Sequence, residues 1–353
     1  VLGNPKSKEN AMSNPLAEVV TVEEVLPHPN ADALDIISPD GSGINWAIVA
    51  RGSVQPGDRV VWLDAVNDPV VPTDRPEFAM LQARAKGKPV HRIRAMRLRG
   101  FLSRGLIIPW SPDYGETSEE VQAALGVTKW EPPTHTGRAG GALHPGLAAS
   151  GPDHLLPTLK YDVDALARNW RRIPDGAVVV LTEKIHGANA AYGWLAHQGD
   201  MDFRARSRSM WKKRDGGGSW WAAAVSADLE EVLRPYPGLL VYGEIYGQVQ
   251  DLRYGKQGVE FVAFDVWDTE AARWYSWLEV EAFCTRAGIS YVPVVDRLVW
   301  PGGGGIPAEV KEAAEGPSLI PGADHIREGV VLRWDGGDPR TILKLVGSGY
   351  LTR

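Results

Sequence analysis

Cysteine is almost missing from this chain: among 353 residues there is one, Cys284. That excludes an internal disulfide framework and any cysteine-clustered metal site. Long apolar runs are missing as well. No stretch approaches the roughly 20 consecutive apolar residues of a membrane-spanning helix, and no signal peptide is visible. The expectation is a soluble protein of a reducing, cytoplasmic setting without a membrane partner. Histidine offers no metal site. His28 precedes Pro29 with no second histidine at ligand spacing, so a turn role is expected, and His135, His144 and His154 stand too far apart in the sequence. "PGGGG" at 301–305 lacks the following Lys-Ser or Lys-Thr of a phosphate loop and reads as a turn.

Acidic residues are missing from two places, although the net charge is −6. Leu81 to Gly105 holds eight basic residues and no acid: Arg84, Lys86, Lys88, Arg92, Arg94, Arg97, Arg99 and Arg104. "RARSRSMWKKR", Arg204 to Arg214, holds six more, again with no acid. A polyanion responds to local patches rather than to totals, so two acid-free runs in an acidic chain point to nucleic acid. Most of the fourteen tryptophans read as packing. Trp211, Trp220 and Trp221 lie beside the second basic run, where stacking on bases is the alternative.

A chain this long, 44% hydrophobic and 23% charged, can fill two cores. Residues 1–13 are polar, without an apolar period, and read as disordered or extraneous. Residues 14–125 show short β-rich runs, "EVVTVEEV", "NWAIVA" and "DRVVWLD", broken by turn signals, the pattern of a small barrel. In "HRIRAMRLRG" the arginines switch parity between Arg94 and Arg97, which predicts one bulged strand carrying Arg92, Arg94, Arg97 and Arg99 on an open face. "HPNADAL" (28–34) and "RLRGFLSRGLIIP" (97–109) resemble the OB-fold domain that tRNA-binding proteins append to synthetases. Residues 126–157, rich in Pro, Gly, Ala and His, read as a mobile linker. Residues 158–353 form the second domain, opening with a short amphipathic helix in "LKYDVDALARNWRRI".

Five apolar strands of that domain each deliver a distinctive group. "AVVVL" runs into "TEKIHGAN", with Lys184 at the strand end; "GLLVYGEIYG" carries Glu244; "EFVAFDVWD" carries Phe264 and Asp265; "IREGVVLRWD" starts with Glu328; "TILKLVGSGYL" carries Lys344. Such a set can converge on one pocket. Alone, Lys184 reads equally as a surface lysine or a nucleophile. As a nucleophile it must be neutral, and a second lysine nearby, Lys344, favours the neutral form. Glu244 and Glu328 suit a ribose hydroxyl or the water shell of Mg²⁺, and Phe264 offers a flat face to a purine. Lysine attack on the α-phosphate of ATP uses all of these together.

In chain order, Lys184-Ile185-His186-Gly187, the basic turn Arg206–Ser209, Tyr242-Gly243-Glu244-Ile245, Phe264-Asp265, Glu328-Gly329-Val330-Val331 and Lys344 resemble the signature elements of the covalent nucleotidyltransferases, the polynucleotide ligases and capping enzymes. "EKIHGAN" (183–189) is similar to the RNA ligases of the phage RNA-ligase-2 branch. DNA ligases and capping enzymes usually carry an OB domain after the last lysine motif, yet only nine residues follow Lys344 here. An upstream OB module resembles the family-5 ATP-dependent RNA ligases. The implied fold class is α+β, an N-terminal OB-like β-barrel followed by a ligase domain of antiparallel sheets with flanking helices.

The resemblance implies an enzyme that seals 3'-OH/5'-phosphate nicks in RNA repair, with ATP and Mg²⁺ or Mn²⁺, through AMP carried on Lys184. Lys184, His186 and Lys344 would be catalytic. Glu183, Ile185, Gly187, Glu244, Phe264, Val331 and Arg333 would bind the nucleotide, and Glu328 with Glu244 the metal. Asn189, Arg206, Arg208, Arg92, Arg94, Arg97 and Arg99 would hold nucleic acid. The partner would be nicked duplex RNA or an RNA/DNA hybrid, and the protein a monomer. The alternatives are a DNA ligase or capping-type guanylyltransferase, and an inactive RNA-binding protein. One departure stands out: the family often has Lys-x-Lys in its last motif, whereas "ILKLV" has one lysine flanked by Ile342 and Val346. Arg333 or the OB domain is then the candidate second cation.

Overall fold

The computed structural model describes residues 15–39, 42–130, 148–214, 218–302 and 304–353. It divides into two compact units, 1–131 and 132–353. The expected leader 1–13, and His135 and His144, lie outside the described residues.

In the first unit, strands β1 (Glu18–Thr21), β2 (Glu24–Pro27), β3 (Leu34–Ser38), β4 (Ala47–Ala50) and β5 (Arg59–Asp64) are followed by β6 (Pro69–Pro72), β7 (Val90–Arg92), β8 (Met96–Leu98), β9 (Phe101–Ser103), β10 (Gly105–Pro109) and β11 (Thr128–Lys129). They form three-stranded sheets in the orders β1-β5-β10, β2-β3-β4 and β11-β6-β7, plus the hairpin β8-β9. The strand β5 is buried on both faces. Val61 and Leu63 enter one core with Phe78 and Val121, and Val60 and Trp62 the other with Ile37 and Ala47, as a period of two requires. A helix, Ser118–Leu125, starts at a capping box of Thr117 and Glu120 and stops at Gly126 in the left-handed region. His28 has the expected turn role: Nδ1 accepts from Asn30 N at 3.1 Å and Nε2 lies 3.2 Å from Leu98 O.

Two expectations for this unit are corrected. The bulged strand 91–99 is instead two strands in different sheets, β7 pairing β6 and β8 pairing β9. The start of the linker expected over 126–157 is instead packed, because β11 pairs β6 and Val127 is buried.

The second unit has β12 (Ala148–Ala149), β13 (Asp164–Ala165), β14 (Val178–Glu183), β15 (Ala188–His197), β16 (Asp200–Ser207), β17 (Trp211–Lys212), β18 (Leu239–Gly247), β19 (Val259–Asp268), β20 (Arg273–Trp274), β21 (Val294–Val299), β22 (Gly329–Trp334) and β23 (Thr341–Val346). A seven-stranded antiparallel sheet runs β12-β17-β16-β15-β18-β19-β20, and a five-stranded sheet runs β13-β23-β22-β14-β21. Each of the five chemistry-bearing runs read from the sequence is a strand or a strand end. The linker reading fails again at its far end. β12 pairs β17, Trp211 Nε1 donates to Asp153 Oδ1 at 2.8 Å and Trp267 Nε1 to Leu155 O at 2.9 Å. The helix expected over 159–173 shrinks to Leu166–Asn169 and a 3-10 turn, Trp170–Arg172.

Asp265 on β19 ties the sheets together. It is fully buried, 3.0 Å from Arg333 Nη2 on β22, bonded to Arg340, and accepts from Tyr161 Oη at 2.7 Å. Removing one member of such a cluster strands buried charge, so Asp265→Ala is expected to cost about 3–5 kcal/mol in urea denaturation, whereas the exposed Arg234→Ala should leave the midpoint close to wild type.

Candidate active site

Lys184 sits where β14 ends, and the ending is fixed on both sides. The Glu183 carboxylate, raised in pKa by burial, accepts from Ser318 Oγ at 2.5 Å and Leu319 N at 2.6 Å. Lys184 N donates to Gly329 O at 2.9 Å, which places the lysine beside the start of β22. Its Nζ then lies 2.6 Å from Glu328 Oε1. Three residues on, the chain passes directly over β18: a Cβ on Gly187 would stand 2.1 Å from Ile245 O and 2.9 Å from Glu244 Cγ. The glycine at this spacing is therefore demanded by close backbone approach.

His186 joins the same charge cluster. Its Nδ1 is 3.1 Å from Glu328 Oε2 and 3.1 Å from Tyr350 Oη, its Nε2 is 2.7 Å from Asp251 Oδ1, and its backbone N–H donates to Tyr254 Oη at 2.7 Å. Arg353 bonds the other oxygen of Asp251. Burial alone would raise the pKa of Glu328, but the Lys184 charge and the His186 hydrogen bond outweigh it and hold the carboxyl at about 2. Glu244, on β18, behaves oppositely. Burial pushes it up to about 8, with the Lys184 charge only partly offsetting this and the Glu328 charge adding to it. Two carboxylates of one site thus carry different protonation states at neutral pH.

One cavity between the two sheets is lined by Glu183, Lys184, Ile185, Asn189, Glu244, Phe264, Val331, Arg333 and Lys344 from the sequence-derived set. Phe264 is half-buried beside Tyr161, ring centroids 5.3 Å apart. Val331 faces Thr182 on one side and Lys344 on the other through the β14-β22-β23 register. Asn189 is paired with Glu244 across β15 and β18, and its buried Oδ1 has no hydrogen-bond partner among the described residues. Arg333 lines the cavity with its Nη2 engaged by Asp265 and Phe264 O, while its buried Nη1 has no hydrogen-bond partner among the described residues. Ile342 lines it where a second lysine of the last strand would stand.

Other predicted residues do not converge there. Arg206 is 2% exposed and donates to Leu159 O at 2.8 Å over the Trp211 ring, so a solvent-facing phosphate contact is corrected to a structural one. Arg208 is exposed and pairs with Asp162 at 2.7 Å. In the first unit Arg92 is bound to Asp68 and lies 3.7 Å over Trp130, whereas Arg94, Arg97 and Arg99 are exposed. Sequence reasoning missed Tyr161, Asp162, Trp277 and Val292 in the cavity, and Asp251, Tyr254 and Tyr350 around His186. These sit in loops or element ends with no periodic or motif signal.

A lysine at a strand end, held by an ionised glutamate in a cavity with an aromatic wall and a second lysine, defines a nucleotide-handling site. Residues 177–346 match the RNA ligase family model, and residues 16–110 match an OB-fold domain model. No curated protein matches the chain. Among solved structures, the Naegleria gruberi RNA ligase with PPi is 24% identical with a TM-score of 0.78, covering 96% of this chain and 98% of that one. Mutants of the same ligase with AMP and Mn (TM-score 0.78, 24% identity, 96% and 98% covered) and with ATP and Mn (0.77, 24%, 95% and 98%) share the fold. Residues 177–346 are thus an RNA ligase family domain, preceded by an OB-fold domain over residues 16–110.

Because the folded-state pKa of Glu244 is about 8 against 4.5 for the free side chain, the folded protein holds a proton that the unfolded chain releases. Stability of the ligand-free protein is therefore expected to fall as pH rises from about 4.5 through about 8. In Glu244→Gln this decline should flatten, as thermal melts across that window would show; parallel curves would contradict the assignment.

Proposed function

We propose that the protein is an ATP-dependent RNA ligase that seals 3'-OH/5'-phosphate breaks in nicked duplex RNA or an RNA/DNA hybrid, as in RNA repair. The observation that carries this reading is Lys184 Nζ, 2.6 Å from Glu328, in a cavity that also holds Glu244, Phe264, Val331 and Lys344. ATP, AMP and Mn in the structural relatives support the choice of nucleotide and metal. We further read the protein as a monomer of a reducing cytoplasmic setting, a reading supported by its having one cysteine, Cys284.

In the first step the neutral Nζ attacks the α-phosphorus of ATP. The N–P bond forms as the bond to pyrophosphate breaks, and the amine proton is lost to solvent. In the resting protein Glu328 holds that amine in an ion pair, so the pair opens before attack. An oxygen of a 5'-phosphate end then attacks the same phosphorus, the N–P bond breaks and Lys184 regains a proton. Finally the 3'-OH attacks the activated 5'-phosphorus, the new phosphodiester forms and AMP leaves.

The remaining roles follow the chemistry of each group. Glu244, protonated at neutral pH, can both donate to and accept from ribose hydroxyls. Phe264 and Val331 enclose the adenine. Glu183, Ile185 and Gly187 shape the backbone around the nucleotide, and Lys344 contacts the α-phosphate. His186 and Asn189 act in the end-joining steps. Arg208 and the exposed Arg94, Arg97 and Arg99 hold nucleic-acid phosphates.

The donors fit a hard cation. Glu328 is ionised and Glu244 is close by, and among the described residues no group of three or more His, Cys, Asp or Glu forms a protein cage. That favours Mg²⁺ or Mn²⁺ keeping several waters, held by Glu328, with Glu244 joining it only where the ion displaces the Glu244 proton. Such an ion, when bound, offsets charge developing on phosphate oxygens.

The test is sealing of a 5'-labelled nicked RNA duplex with ATP and Mg²⁺ or Mn²⁺. Wild type is expected to join the ends and Lys184→Ala to fall to background, a loss of at least about 10³-fold. Sealing by Lys184→Ala would overturn the reading. Labelling by GTP instead of ATP would turn it toward a capping enzyme, and preference for all-DNA nicks toward a DNA ligase.

A further inference from the structure

A second groove opens at the edge of the seven-stranded sheet, outside the lysine-centred cavity. It is lined by Arg204, Lys212, Lys213, Arg214, Trp211 and Trp221, with Asp202 its one acid. The strand β17 pairs only Ala205 and Arg206 of β16, so the outer edge of Asp202–Arg204 has no strand partner among the described residues.

The cations here are held for use at a surface. Lys212 is half-buried, its Nζ 4.1 Å from the Trp220 ring, and burial lowers its pKa. Lys213 is exposed. Arg204 bonds Ser150 O at 2.9 Å and Asp202 at 3.3 Å, while its buried Nε has no acceptor among the described residues. Arg214 lies 4.8 Å from the Trp221 ring and pairs with Glu230. Four cations against one lining acid, with indole faces beneath them, match a phosphodiester backbone better than a single small anion.

The groove is also connected to the reacting centre. Trp220, under Lys212, donates from Nε1 to Asn189 O at 3.1 Å, and Asn189 lines the nucleotide cavity. Along β15, Trp194 opposite Phe203 is five positions from Asn189, a run of about 17 Å at the usual strand rise.

We propose that this groove is a phosphodiester-binding subsite for the nucleic-acid strand that leads to the break, about four to five nucleotides from the reacting ends at roughly 3.4 Å per phosphate. This rests on the ligase reading above. It moves the strand contact from the buried Arg206 to Lys212, Lys213 and Arg214.

The test uses the full chain and fluorescein-labelled nicked RNA duplexes, with binding followed by anisotropy at several KCl concentrations. One duplex has arms of about 12 nucleotides on each side of the nick; two others shorten one arm or the other to about 3, short of the groove. Lys212→Ala/Lys213→Ala is expected to lower the salt slope by about one per cation removed on the long arms. One of the shortened duplexes should abolish the difference from wild type, and formation of the protein–AMP adduct should be unchanged. Lys213→Glu, an exposed change that disturbs no packing, decides the matter if the double variant loses the adduct. Parallel salt slopes for Lys213→Glu and wild type, or an equal loss on all three duplexes, would overturn the subsite. A wild type that makes no AMP adduct would instead refute the ligase reading, leaving the salt slopes to judge the groove alone.

Discussion

The carboxylate of Glu328 stands between two groups that need it, with one oxygen on Lys184 Nζ and the other on His186 Nδ1. A buried anion tolerates its desolvation only when it is paired and hydrogen-bonded, and here both conditions are met by residues of a single tetrapeptide. That contact fixes the start of β22 beside the end of β14, a junction the Lys184 N–H to Gly329 O bond closes. With those ends joined, β23 follows in register and Lys344 comes to lie opposite Val331. The site is therefore a consequence of one charge cluster at a sheet end, with the nucleotide cavity beside it.

The second carboxylate shows the same physics with the opposite sign. Among the described residues no cation lies at ion-pair distance from Glu244, and Gly187 brings the chain close over it, so burial governs its proton. One acid stays ionised next to the amine and the other stays neutral beside the aromatic wall. A nucleotide presents both kinds of demand, a charged phosphate with its cation and a neutral sugar, and in the proposed function the two glutamates divide them.

Much of this was legible in the sequence because the carriers lie on strands. Apolar runs such as "AVVVL" and "GLLVYGEIYG" mark their own ends, and the polar group at each end is conspicuous by its place. The β5 strand was legible for the same reason. Three things were hidden. Arg206 reads as one of a row of surface cations, yet its place opposite Ala191 and Trp211 turns it into the core, since neighbouring strands decide which face is covered. The arginines of 92–99 appear continuous, but a break between β7 and β8 gives Arg92 to Asp68 and leaves the others exposed. Asp251, Tyr254 and Tyr350 converge on His186 from loops and a short terminal helix, contacts that no local pattern encodes. The single lysine of the last strand was visible from the start, and the structure fills the neighbouring position with Ile342 and engages Arg333 Nη2 with Asp265.

The claim at the centre is that the amine held by Glu328 is the group that becomes covalently bonded to AMP. Peptide mass spectrometry of the protein after incubation with ATP and Mn²⁺, under conditions that preserve phosphoramidates, tests it directly. The account predicts one AMP adduct, on Lys184; an adduct on another residue, or none on freshly nucleotide-stripped protein, would contradict it.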